Sequence, residues 1–208
     1  DFFLHLDSHL SAIISHYGSL TYVLLFVIIF CETGFVVTPF LPGDSLLFAA
    51  GTFAALHSLS LWILFLILVF AAILGDTINY WIGRTIGHRI VESRTRWISQ
   101  KGMERTNLFF AKHGGLAIFL GRFVPIIRTF IPFIAGFGSM KYRRFLAFNV
   151  IGGTLWVSLF LFGGFLFGNI PIVKKNFSFV ILAIIVISLI PVLIEFWHAR
   201  KSQTDVKK

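Results

Sequence analysis

The sequence predicts an all-α polytopic membrane protein, and three observations carry that reading. Of 208 residues, 57% are hydrophobic and 13% are charged, where a soluble domain carries about 25% charged residues. The apolar residues come in runs of bilayer-spanning length, which needs about 20 residues. The formal net charge of +9 gathers at the ends of those runs, a pattern of membrane topology and anionic-lipid contact and not of nucleic-acid binding. A soluble chain of this size could not hide so much apolar surface from water. Residues 1–208 therefore read as a single membrane transport domain, with no room for a separate soluble catalytic module. Cys31 is the only cysteine, so no internal disulfide forms.

The elements follow in order. Residues 1–16 place Phe3, Leu6, Leu10, Ile13 and Ile14 at helical spacing among serines, as an interfacial amphipathic helix does. Residues 17–56 are apolar but interrupted by Glu32, Pro39, Pro42, Gly43 and Asp44. The stretch after Pro42-Gly43 is too short to cross, so this region predicts a first span and re-entrant hairpin, helix-break-helix. Residues 59–83 form a full span, and the polar 84–113 a cytoplasmic amphipathic segment. Residues 114–140 are apolar again yet hold Arg122, Pro125, Arg128 and Pro132, which predicts a second re-entrant hairpin broken at the prolines. Residues 145–168 and 177–197 are further spans, giving three to four in all, and 198–208 is a basic tail.

The positives of 84–113, the Lys141/Arg143/Arg144 cluster and the tail, placed together on the cytoplasmic side, leave Lys174 and Lys175 opposite, as the positive-inside rule requires. The two hairpins then open to opposite sides. A faint internal repeat agrees with this. His16-Tyr17-Gly18-Ser19-Leu20 pairs with Lys112-His113-Gly114-Gly115-Leu116, Ala50-Gly51 with Ala135-Gly136, and Gly75-Asp76-Thr77 with Gly152-Gly153-Thr154. Two opposed hairpin-plus-span units are the architecture of inverted-repeat transporters.

Five ionisable residues interrupt the apolar runs: Glu32, Asp44, Asp76, Arg122 and Arg128. Each costs roughly 2.5–3.5 kcal/mol at mid-membrane when left unpaired. Carboxylates and arginines could pair only to tie the hairpins together; but holding a fold needs no charge in lipid, which favours a substrate and proton site. The chemistry fits an anionic lipid headgroup. A break at Pro125 can turn Arg122 and Arg128 toward one point, and guanidinium binds phosphate with paired, planar hydrogen bonds. Glu32 and Asp44 suit proton coupling, since burial and a neighbouring arginine pull a carboxyl in opposite directions and leave it able to titrate. Asp76 and Asn79, and Asn149 and Trp156, read equally as supporting site residues or as helix–helix glue; Gly83 and Gly87 read as close-packing positions. The seven histidines show no metal-ligand spacing, so no metal and no cofactor is expected. Phosphate-binding loops and the commonest hydrolase motifs are missing from the sequence, which points to a transporter and not an enzyme.

From Glu32-Thr33-Gly34 through Thr38-Pro39-Phe40-Leu41-Pro42-Gly43-Asp44, the sequence resembles the DedA family of bacterial inner-membrane proteins. Gly75-Asp76 and Gly83-Arg84 continue the likeness. Its most specific part is Gly121-Arg122-Phe123-Val124-Pro125, Arg128-Thr129, Pro132 and Ala135-Gly136, followed by Phe145, Asn149, Gly152 and Trp156. The resemblance implies a translocase for undecaprenyl phosphate or a related anionic phospholipid, dependent on the proton gradient and serving lipid-carrier recycling at the cell envelope. It implies an essential acidic pair at Glu32 and Asp44 and an essential arginine pair at Arg122 and Arg128, and a relation to eukaryotic VTT-domain lipid scramblases. The partners expected are membrane lipids and protons, with no nucleic acid and a possible homo-oligomer. The expected location is the bacterial inner membrane, with the C-terminal tail cytoplasmic. The rivals are a proton-coupled exporter of ions or small cationic drugs, and a structural or assembly membrane protein.

Overall fold

The computed structural model describes residues 18–35, 43–56, 59–92, 114–138 and 140–175. The expected interfacial helix, the Pro39–Pro42 break, most of the cytoplasmic segment, the last span and the tail lie outside them. Every element among the described residues is helical: α1 (Gly18–Gly34), α2 (Gly43–Ala55), α3 (Leu61–Glu92), α4 (Gly115–Gly121), α5 (Pro125–Phe137), α6 (Tyr142–Gly168) and α7 (Pro171–Lys175).

Two of these, Leu61–Ile86 within α3 and Tyr142–Gly168, are long and apolar enough to cross a membrane. Their outward stripes are apolar too. Trp62, Leu66 and Phe70 on α3 and Ile151, Leu155 and Leu159 on α6 are all exposed, each set repeating at the four-residue spacing of one helix face. Such stripes call for lipid as the solvent. The shorter helices cannot span alone: α2 and α5 have 13 residues each, roughly 20 Å against a hydrocarbon core of about 30 Å.

Helix α3 runs on past Gly83 to Glu92, where the sequence pattern ended a span. Pro132 likewise stands inside α5, and the helix continues through it to Phe137. A proline forfeits one backbone hydrogen bond, but the turns on either side are held by packing. The break in this region is therefore at Pro125 and not at Pro132. It is built from local chemistry. Helix α4 ends at Gly121, and Val124 adopts the extended conformation, φ −108° and ψ 110°, to which a following proline biases its predecessor. Pro125 then opens α5 at its first turn, where the missing N–H is no loss.

The described chain falls into two compact units. One gathers α2 with α6 from residue 160 and α7; the other gathers α1 from residue 22, α3 from residue 62, α4, α5 and α6 up to residue 159. In the first, α2 crosses α6 at Gly51 and Gly164. A Cβ on Gly51 would strike the Leu161 carbonyl, and one on Gly164 the Phe48 carbonyl. The Thr52 hydroxyl donates to the Gly164 carbonyl at 3.1 Å, and Phe48 packs on Phe167 with ring centroids 5.4 Å apart. In the second, α5 crosses α3 at Gly136 and Gly83. There a Cβ on Gly136 would strike the Tyr80 carbonyl, and one on Gly83 the Phe133 carbonyl.

The two crossings share one register. Each glycine meets the carbonyl three residues before its partner glycine, in all four cases. Small residues let helix backbones approach this closely. Around the second crossing, Tyr80, Ile118, Ala135, Met140 and Phe145 form a buried core. Tyr80 stacks on Phe145 at 4.6 Å and donates its hydroxyl to the Met140 carbonyl.

Candidate functional site

The second unit holds a buried cluster of charge. Glu32 on α1, Asp76 on α3, Arg122 at the α4–α5 break and Arg128 on α5 are each at most 4% exposed. Arg122 Nη2 pairs with Asp76 Oδ2 at 2.9 Å, and Arg128 pairs with Glu32. Two cations and two anions thus balance. Buried pairing is what makes such groups tolerable, because removing one partner strands the other.

Neutral groups complete the setting. Arg122 Nη1 donates to Asn149 Oδ1 at 2.8 Å and to the Asn149 carbonyl at 3.2 Å. Asn149 Nδ2 in turn donates to the Ile73 carbonyl at 3.0 Å, which fixes the amide so that its oxygen faces the guanidinium. The Arg128 and Arg122 guanidinia lie 4.7 and 5.8 Å from the centroid of the same Trp156 ring, and a cation over an indole face is favourable. Trp156 is 1% exposed, so this platform works away from water. Gly153 of α6 leaves the room that Arg122 uses: a Cβ there would stand 3.3 Å from Arg122 Nη1.

A second amide ties three helices. Asn79 Nδ2 on α3 donates to the Thr33 carbonyl of α1 at 3.2 Å and to the Thr129 carbonyl of α5 at 2.7 Å. One turn away, Gly75 lets α1 approach α3, since a Cβ there would run into Thr33 and the Phe30 carbonyl.

Of the residues that the sequence singled out, the structure brings together Glu32, Asp76, Arg122, Arg128, Asn149 and Trp156. Asp44 belongs to the first unit, in the opening turn of α2, where a carboxylate suits the positive end of a helix. The sequence reading named Thr129 only in the family likeness and Gly153 only in the repeat, and gave neither a part in the site. Thr129 serves through a backbone carbonyl, which leaves no signature in a side chain. The spacing of Gly153 from Asn149 and Trp156 on one helix could have marked it.

A buried, charge-balanced cluster thus sits at a helix break in an α-helical chain with membrane-length spans. Residues 41–166 match the VTT domain, and the chain belongs to that family, with the DedA proteins. Protein DedA of Escherichia coli K12 is 47% identical over 211 residues, covering all of this chain and 96% of the relative. An uncharacterized membrane protein of Mycobacterium leprae is 42% identical, over 88% of this chain and 82% of its own length. The inner membrane protein YghB of Escherichia coli K12 is 37% identical, over 77% of this chain and 74% of its own length. No solved structure matches the chain.

Proposed function

We propose that this chain is a translocase that carries a phosphate-bearing lipid headgroup, undecaprenyl phosphate or a related anionic phospholipid, across the bacterial inner membrane. The observation that carries this reading is the convergence of Arg122 and Arg128 over one Trp156 face, each guanidinium already engaged by a carboxylate. Two guanidinia that share a platform form a ready anion receptor. The carboxylates occupy it when lipid is absent, and a phosphate exchanges with them. Protons on the displaced acids would offset the phosphate's charge, which supports dependence on the proton gradient. In this reading α4 and α5, too short to span singly, are the arms of a re-entrant hairpin, and the α1–α2 region forms the opposed one. Glu32 and Asp44 carry protons or gate access, and the C-terminal tail is cytoplasmic. The names of the relatives, membrane and inner membrane proteins, support the location.

The test is reconstitution of the purified chain into vesicles with labelled undecaprenyl phosphate, following leaflet exposure with and without a pH gradient. Gradient-dependent movement is expected; movement no faster than in protein-free vesicles overturns the proposal. One observation favours a second reading, an assembly protein whose charges are ties: each acid is paired with one of the two arginines. Reversing a pair, as Glu32→Arg with Arg128→Glu, separates the two. A tie is rescued by reversal and a transport site is not. Export of cations is disfavoured because two buried guanidinia would repel the cargo.

A further inference from the structure

Among the cluster's buried acceptor atoms that meet no donor, two stand on one helix. Asp76 Oδ1 and Asn79 Oδ1 have no hydrogen-bond partner among the described residues, and both side chains are buried. The Asn79 amide cannot be turned to relieve this. Its nitrogen already donates to two backbone carbonyls, of Thr33 and Thr129, so its oxygen is fixed as an acceptor. Asp76 and Asn79 stand three positions apart on α3, hence as neighbours on one helix face. Its other oxygen commits Asp76 to Arg122. Buried acceptors want donors, and here one of the two groups is able to become a donor.

We infer that Asp76 is a proton-binding group of this site, its protonated Oδ1 donating to Asn79 Oδ1, directly or through one water, while Oδ2 continues to accept from Arg122. The balance is simple. One proton adds to the Asp76 carboxylate, no other bond changes, and the cluster gains one positive charge. That charge is what an arriving phosphate neutralises, so proton uptake at Asp76 and anion capture at Arg122 are linked through one ion pair. The charged groups that bear on Asp76 are Arg122 at the break and Arg128 on α5, while Glu32 on α1 bears on Arg122. Helix α6 offers the neutral Asn149 and the Trp156 ring. Glu32 differs from Asp76 in its neighbour: Thr33, the next residue, turns its hydroxyl back to the Ile29 carbonyl at 2.9 Å and offers no fixed amide acceptor. The inference rests on the transport reading for its purpose but not for its chemistry.

The test therefore begins without lipid. The detergent-solubilised protein is titrated with pH while the infrared absorption of protonated carboxyl groups is followed. The band that persists to the highest pH is expected to vanish in Asp76→Asn and to survive in Glu32→Gln. Its survival in Asp76→Asn, or its loss in Glu32→Gln alone, overturns the inference; so does its removal by sodium chloride at fixed pH, which would make the ligand a metal cation. Should Asp76→Asn fail to fold because Arg122 is stranded, the charge-balanced Asp76→Asn/Arg122→Gln protein carries the same readout. In vesicles, Asp76→Asn is expected to lose the dependence of lipid movement on the pH gradient. Wild-type protein that moves no lipid phosphate would end the transport reading, while the infrared result still decides the assignment of the proton.

Discussion

The α2–α6 crossing and the α5–α3 crossing are built alike and used differently. Both place an Ala-Gly on a 13-residue helix against a glycine on a long one, with the same carbonyls in the way. Around Gly51 and Gly164, among the described residues, a threonine hydroxyl donates to a backbone carbonyl. The unit that holds Gly83 and Gly136 also carries two arginines, two carboxylates and two buried amides. The frame is thus set by glycines that recur, and the chemistry by charges that do not. A close backbone crossing is a structural necessity wherever a short helix docks on a span; a buried ion cluster is a local specialisation with a cost of its own.

The largest expected effect falls on the specialised side. Arg122→Ala or Arg128→Ala should reduce lipid-phosphate movement to the protein-free rate, while antibody or tag detection finds the protein still in the membrane. Each also strands a carboxylate, at about 3–5 kcal/mol. Arg128→Lys keeps the charge and loses the planar fork, so it should remain severely impaired; full transport by that variant would mean that charge alone matters there.

The crossings themselves come next. Gly51→Val and Gly136→Val should each lower stability in detergent by about 1–3 kcal/mol through overpacking, seen as similar falls in thermal unfolding temperature. A silent Gly51→Val beside a damaging Gly136→Val would break the parallel between them. Glu32→Gln sharpens it from the other side. The amide keeps the shape and much of the hydrogen bonding but cannot titrate, so lipid binding should persist while gradient dependence is lost. A large loss of stability with gradient dependence intact would assign Glu32 to a tie. Smallest of all, Thr52→Val should cost about 0.5–1.5 kcal/mol and leave transport at the wild-type rate.

Much of this was legible in the residues, and the rest was not for physical reasons. Composition and the length of the apolar runs identified an all-helical membrane chain, because lipid leaves few alternatives. Ala50-Gly51 and Ala135-Gly136 stood out as a repeated pair. Gly83 read as a close-packing position, but its partner could not be named and Gly164 did not stand out, since which glycine meets which depends on the tertiary register. The match of Gly75-Asp76-Thr77 to Gly152-Gly153-Thr154 is four residues out of step with that register, about one helical turn. Pro132 read as a break because proline weakens an isolated helix, whereas the Gly136–Gly83 contact holds this one together. The charged residues announced themselves singly by standing in apolar runs. Their pairing, Arg122 with Asp76 and Arg128 with Glu32, spans 46 and 96 positions and follows from no local rule.

The charge balance of the cluster also bears on how the chain is made. Synthesis runs from the N-terminus, so Glu32 and Asp76 leave the ribosome before Arg122 and Arg128 exist. For that interval the nascent chain holds both acids of the cluster and neither of its bases. A chain cut between α3 and α4 is fixed in the same condition, and its missing half would carry the two bases alone. Neither fragment can satisfy its own charges in lipid, so the halves should be degraded when expressed apart and persist when expressed together. The ion cluster is in this sense a checkpoint on completion, closing when the last of its four members arrives.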